Sequence, residues 1–276
     1  MNNAFMTPEE FKDQECKNNT CFYPTRFNFL KKQNGLRPNS LHVVLGGSGR
    51  GKSTLVRPMV IDACKDPMNK ACIWLTEEII IDYKFQLNLQ TSSDDRETLK
   101  QIEIFSEVNM PNLPKTLDGY LARISQTIDE TKCNVLLFDN ITTSGIINNL
   151  PVGQQGLAIS AIRDLAEIKN IAVVVVAHTS KGSAHGNVQI MIDDVRGNAT
   201  ITNTSPFVYV LQSITNLSGR KDFLHVAKGR NYPHHLKYFM LNYDPDKKSY
   251  VGDSLSFEQD LYNELAARAR MQQGKA

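Results

Sequence analysis

The chain has 276 residues, with 31 Lys and Arg against 29 Asp and Glu, a formal charge of +2. A chain of this length buries roughly 70–75% of its unfolded surface and needs no covalent staples; its near-balanced charge excludes a polycation, so any nucleic-acid surface has to be a local patch or be assembled by oligomerisation. Cysteines at 16, 21, 64, 72 and 133 form no disulfide framework and no complete zinc set, no apolar run approaches 18 residues and no signal peptide is visible, so the expectation is a cytoplasmic protein that does not engage membranes.

Residues 1–38 are polar and irregular, with turn signals at Asn34-Gly35 and Arg37-Pro38, and read as an N-terminal lead-in segment or linker. The stretch Leu41 to Thr54, LHVVLGGSGRGKST, then reads as apolar strand, glycine-rich turn and helix start. Gly46, Gly51, Lys52 and Ser53 fit the phosphate-loop pattern G-x-x-x-x-G-K-[ST]. Gly46, Gly47, Gly49 and Gly51 lack a Cβ, so the turn can take positive φ and converge its N–H groups on phosphate oxygens. The helix start adds partial positive charge. Gly46, Gly47, Ser48, Gly49, Arg50, Gly51, Lys52, Ser53 and Thr54 are the expected nucleotide-binding residues. Lys52 reaches the β- and γ-phosphates, and the Ser53 hydroxyl ligates Mg²⁺. The helix expected over Ser53–Lys65 carries Pro58, which should weaken or kink it.

ACIWLT (71–76) is a second buried strand ending in Glu77-Glu78. A helix over 81–90, a charged helix or loop over 91–100, a strand over 102–106 and a helix over 117–131 follow. NVLLFD (134–139) is a core strand, 140–155 a polar loop and 156–169 a helix. IAVVVVA (171–177) is a strand buried on both faces and followed by His178. Beyond a loop over 179–194, a short helix is expected at 195–204. Strands are expected at 207–213, 223–228, 238–243 and 249–251, and a closing helix at 255–271. Alternating strands and helices with continuous apolar strands give an α/β fold. Its mostly parallel twisted sheet has helices on both faces and antiparallel strands at the C-terminal end.

Asp139 ends an apolar strand, where phosphate-loop proteins hold Mg²⁺. A carboxylate at the end of the neighbouring strand can orient and deprotonate attacking water. Adjacent strand residues point to opposite sides, so one of the two glutamates faces the γ-phosphate; Glu77 is preferred and Glu78 is the alternative. His178 ends its strand inside the same crevice and is a candidate γ-phosphate sensor.

In order, the phosphate loop at 46–54, WLTEE at 74–78, NVLLFD at 134–139, VVVVAHTSKG at 173–182, DDVRGNATI at 193–201 and HVAKGRN at 225–231 make the chain resemble a known family. It is similar to the RecA-like ATPase core of DnaB-type hexameric replicative DNA helicases, especially small plasmid- or phage-encoded forms. The likeness runs from about residue 22 to 251. It implies a RecA-like phosphate-loop NTPase domain over 39–252, with 253–276 as a C-terminal helix. It implies that Glu77 is the catalytic glutamate, Asp139 the Mg²⁺-associated aspartate and His178 the sensor. It places Arg196-Gly197 on the channel side near DNA, and Lys228 and Arg230 as a basic pair reaching a neighbour's nucleotide site.

In a departure from the family, no primase domain is expected, nor a helical N-terminal domain, for which residues 1–22 are too few. The region 140–155 is poor in Lys and Arg, which leaves Lys181, His185 and Arg196 to carry DNA contact. The expectation is a Mg²⁺-dependent ATPase that assembles as a ring, with hexamer the implied size and ATP between subunits. It would move on single-stranded DNA, with other replication proteins as partners, in a bacterial or phage-infected cell. The alternatives are a recombinase-like or mediator ATPase that coats DNA without unwinding it, and a nucleotide-switch adaptor that binds protein partners.

Overall fold

The computed structural model describes residues 23–31, 35–179, 189–197, 199–217, 219–230 and 234–273. Their elements in chain order are α1 (Asn28–Lys31), β1 (Ser40–Gly46), α2 (Lys52–Ala63), β2 (Ala71–Leu75), α3 (Ile80–Gln90), β3 (Ile102–Ser106), α4 (Leu117–Thr131), β4 (Val135–Asp139), α5 (Gly145–Asn148), α6 (Val152–Ile168), β5 (Ala172–His178), α7 (Thr200–Thr204), β6 (Phe207–Asn216), β7 (Gly219–Gly229), β8 (Tyr238–Asp244), β9 (Ser249–Ser256) and α8 (Glu258–Gln273).

The strands form one nine-stranded sheet in the order β3-β2-β4-β5-β1-β6-β7-β8-β9. β1 to β6 are mutually parallel, and β6 to β9 pair antiparallel. β1, β2 and β4 are buried at every position, which is why apolar residues fill consecutive rather than alternate positions, apart from Ser40 and His42 in β1 and the terminal Asp139 of β4. Side chains of α2 and α3, among them Leu55, Met59, Tyr83 and Leu87, fill one face. Tyr120 and Ile124 of α4 and Ile159 and Ile162 of α6 fill the other. α8 lays Leu261 and Leu265 on Ile214, Phe223 and Tyr238 of the antiparallel half. Cys72 and Cys133 are buried free thiols; Cys16 and Cys21 lie outside the described residues.

Several boundaries differ from the sequence expectation. The region 140–155 is not an open loop: it holds a short 3₁₀ turn (Ile141–Thr143), α5 and the start of α6, which begins at Val152 rather than 156 because Pro151 supplies its N-cap. Val195 bridges to Thr179 in place of starting a helix, leaving α7 only Thr200–Thr204. β6 and β7 extend well past their apolar centres to meet in a hairpin, with Asn216 opposite Gly219. Leu255 pairs with Phe239 inside β9, so α8 starts at Glu258. α2 runs through Pro58 unbroken. The missing N–H there removes one helical bond, which the buried packing of this helix outweighs.

Within 23–31 and 35–38 the chain packs onto the core. Phe27, Phe29 and Leu30 are fully buried. Arg26 pairs with buried Asp62 of α2 at 2.7 Å, and the Asp253 carboxylate of β9 accepts from the Phe29 amide at 2.9 Å and from the Asn28 amide. This segment therefore ties the phosphate-loop helix to the antiparallel edge of the sheet.

Candidate nucleotide site

Because β5 and β4 lie between β1 and β2, connections leave the sheet in opposite directions around β1. The crevice at the carboxyl ends of these strands is where open α/β sheets take ligands. It holds a cleft of about 320 Å³, lined by Ser48 to Thr54 together with Glu77, Glu78, Asp139 and His178. Sequence-distant residues thus meet here. The sheet register explains how: Gly46 pairs with His178, and Leu75 pairs with Asp139.

The glycines do different jobs. Gly49 and Gly51 have φ of 66° and 93°, the left-handed region that favours glycine. Gly46 is extended, and a Cβ on it would meet the Leu211 carbonyl oxygen at 2.7 Å, so closeness to β6 is what requires glycine there. The expectation that all four glycines serve positive φ is corrected accordingly; Gly47 is not left-handed.

Lys52 opens α2 and is 4% exposed. Its Nζ donates to the Gly47 carbonyl at 2.7 Å and to His178 Nδ1 at 2.8 Å. Burial lowers its pKa to about 8 against the raising influence of Asp139 and Glu77. Burial, reinforced by the Lys52 and Arg196 charges, lowers His178 to about 4, so its ring is neutral near pH 7 and accepts from Lys52. On the other side of the ring, Nε2 lies 2.8 Å from the Asn140 side-chain nitrogen, which donates to Glu77 Oε1 at 3.1 Å; with Nδ1 accepting from Lys52, the neutral ring carries its proton on Nε2 and takes no hydrogen bond from Asn140. Asn140 is held by Thr142, whose hydroxyl donates to its Oδ1 at 2.8 Å. Lys52, His178, Asn140 and Glu77 thus stand in a row of adjacent polar groups.

Glu77 and Glu78 lie beyond the end of β2, which stops at Leu75, so strand alternation does not separate them. Both line the cleft. What separates them is their partners. Glu78 faces buried Arg57 at 3.4 Å, whereas Glu77 takes the Asn140 amide. Arg57, one helical turn after Ser53, stacks on Tyr83 at 4.4 Å.

Asp139 is buried, and burial raises its carboxyl to about 6 although the Ser53 hydroxyl bonds to it. Its Oδ2 has no hydrogen-bond partner. Among the described residues no group of three or more His, Cys, Asp or Glu side chains is set for a metal. One carboxylate with an unmatched oxygen and one hydroxyl fit Mg²⁺, which keeps waters and substrate oxygens in most of its coordination positions. Ser53 and Asp139 are the residues that would hold it.

Other expected residues lie elsewhere. Arg196 is exposed beside the end of β5, and its amide donates to the His178 carbonyl at 2.7 Å. Lys181 and His185 lie outside the described residues. The Lys228 ammonium donates to the Asn203 carbonyl at 2.8 Å and the Thr202 carbonyl at 3.3 Å, at the end of α7. Gly229 pairs with Phe207, and Phe207 with His42, four residues before Gly46, so Lys228 and Arg230 sit at the opposite end of the strands from the phosphate loop. That is roughly 13 Å away along the strand alone. β7 lies inside the sheet between β6 and β8, so the separation comes from strand direction.

The sequence reading missed Asn140, Arg57, Arg220, Tyr243 and Tyr250 in the cleft wall. The spacing of Ser53 and Arg57, one helical turn, was a usable signal. Nothing local marks the others, which arrive through sheet register.

No protein-family model matches the sequence, and no curated protein matches it. Among solved structures the chain is similar to a KaiC-like protein from the hyperthermophilic archaeon Pyrococcus horikoshii. The two share 14% identity and a TM-score of 0.65, over 86% of this chain and 99% of that one. The fold is RecA-like. No helix among the described residues is long and apolar enough to cross a membrane.

Proposed function

We propose that the chain is a Mg²⁺-dependent ATPase that moves on single-stranded DNA, a replicative helicase of the DnaB type working as a ring with ATP between subunits. The observation that carries the hydrolase reading is the row of polar groups Lys52, His178, Asn140 and Glu77 beside the unmatched oxygen of Asp139. Lys52 exchanges the Gly47 carbonyl and His178 for phosphate oxygens. Glu77, oriented by Asn140, takes a proton from water as the water oxygen bonds to the γ-phosphorus and the bond to the bridging oxygen breaks, giving ADP and phosphate. Mg²⁺ supplies positive charge to the phosphate oxygens when bound. His178, released by Lys52, is free to report on the γ-phosphate, and the Arg196 amide on its carbonyl links that report to the DNA side.

Lys228 and Arg230 are too far from their own loop, so as fingers they act on a neighbour's nucleotide. Arg230→Ala and Lys52→Ala proteins are each expected to be nearly inactive and to regain hydrolysis on mixing, since a mixed ring contains interfaces with an intact loop and an intact finger. No recovery in mixtures shown to co-assemble would contradict the in-trans role. The function itself is tested by phosphate release with and without single-stranded DNA, and by displacement of a strand from a forked duplex. Stimulation with displacement is expected. Stimulation without displacement would favour a DNA-coating ATPase, and no stimulation a switch that binds protein partners.

A further inference from the structure

The antiparallel half of the sheet reaches back to the phosphate loop through one side chain. Arg220, near the start of β7, donates from Nε to both oxygens of Asp222 at 2.9 and 3.0 Å. Its Nη2 donates to the Arg50 carbonyl at 3.2 Å, to the Ser213 hydroxyl at 3.2 Å and to the Tyr250 hydroxyl at 3.3 Å. The two hydroxyls pass their own protons on: Ser213 to the Arg50 carbonyl at 2.9 Å, and Tyr250 to Asp222 at 2.8 Å. The bonds run in one consistent direction, with the two Nη2 protons shared among three acceptors and both hydroxyls donating onward.

The same network bears on the loop's shape. A Cβ on Gly51 would sit 2.8 Å from the Tyr250 hydroxyl and 3.1 Å from Arg220 Nη2, so the loop backbone rests directly on the brace. Gly51 is the N-cap of α2, and the amides that follow it are the ones a phosphate needs. β6 makes this possible by running two residues past Leu211, its partner for Gly46, to place Ser213 level with the loop. Asp222 is 4% exposed, while the Arg220 side chain is 45% exposed and lines the cleft.

We infer that Arg220 is a positioning residue of the nucleotide site: its guanidinium fork fixes the Arg50 carbonyl and the back of Gly51, and so sets how tightly the loop holds nucleotide phosphates. This rests on the nucleotide-site reading above. The fork acts before bond breaking, so it governs affinity and leaves the rate at saturation nearly alone. A lysine keeps the charge but cannot make the parallel contacts to carboxylate, carbonyl and hydroxyls.

The test measures MgADP affinity by calorimetry and MgATP turnover at saturation for wild type, Arg220→Gln, Arg220→Lys and Tyr250→Phe. Arg220→Gln is expected to weaken MgADP binding roughly 10- to 100-fold, the range of a charge-assisted hydrogen bond, with turnover at saturation changed less than about threefold. Arg220→Lys is expected to recover only a minor part of that loss. Tyr250→Phe, which removes one hydroxyl and keeps the ring, is expected to weaken binding about threefold; it keeps the inference testable if Arg220→Gln does not fold. Unchanged affinity in Arg220→Gln or in Tyr250→Phe, full rescue by lysine, or a fall in turnover at unchanged affinity would overturn the inference. Failure of wild type itself to bind MgADP would overturn the nucleotide reading, and this inference with it.

Discussion

Asp139 and Asp222 are buried alike, at 6% and 4% exposure, on the parallel and antiparallel halves of one sheet, and both lie close to the phosphate loop. Their surroundings are opposite. Asp222 accepts from Arg220 and from Tyr250, and both its oxygens are matched. Asp139 has an oxygen with no partner, and burial raises its carboxyl to about 6. Burial disfavours the charge of Asp253 on the antiparallel half and of Lys52 on the parallel half alike, but Asp253 accepts from the Asn28 and Phe29 amides of α1, whereas Lys52 has only a carbonyl and a neutral ring nitrogen as partners. One half of the sheet satisfies its own buried charge and is a brace. The other leaves charge to be matched by a ligand, and folding stability there is given up for function.

The largest expected effect is at Asp139. Its raised pKa means that its contribution to stability is fully present below the ordinary 3.8 and lost as pH rises through about 6. At pH 7.5 the ionised group therefore costs the free protein about 3 kcal/mol at most. Asp139→Asn should raise the melting temperature of the ligand-free protein while lowering turnover at least ~10²-fold. A variant that is both less stable and fully active would erase the distinction between the halves.

Asp222→Ala should do the reverse to stability, lowering it by about 1–3 kcal/mol in urea unfolding. This is less than the loss for a fully buried pair, because the stranded Arg220 is 45% exposed and partly solvated. A neutral result would mean that the brace is dispensable.

How far these two regions could be read in advance differs for the same reason. The parallel half announces itself, because strands buried on both faces must be apolar runs such as VVVVA, and each run ends in the polar group it delivers, Asp139 or His178. The brace draws on ITN (214–216) and GRKD (219–222), mostly polar residues outside the expected strands that are in fact the paired ends of β6 and β7. Arg220 meets Arg50 across a separation of 170 positions in the chain and through a register that no local pattern encodes. The alternation rule applied to Glu77 and Glu78 missed because Thr76 to Glu78 have already left the strand.

A smaller effect concerns pH. With Lys52 lowered to about 8 by burial, the free protein loses this charge as pH rises through that value. MgADP affinity should then fall by up to about tenfold per pH unit above 8, with a proton taken up on binding. A flat profile to pH 9.5 would show that Lys52 stays charged or is not a phosphate ligand.

The smallest expected effect lies at Arg196, the proposed DNA contact. Arg196→Ala should weaken single-stranded DNA binding and reduce its salt slope by roughly one counterion. An unchanged slope would put the DNA, or another ligand, away from the end of β5.

On the proposed function, the unmatched charge at the ends of the parallel strands is there for a magnesium nucleotide. The most direct measurement is thermal unfolding of wild type and Lys52→Ala, each with and without MgADP. The account expects the nucleotide to stabilise wild type by about 2.7 kcal/mol when present at a hundred times its dissociation constant, and to leave Lys52→Ala nearly unmoved. Equal stabilisation of the two proteins, or none of wild type at millimolar MgADP, would contradict it.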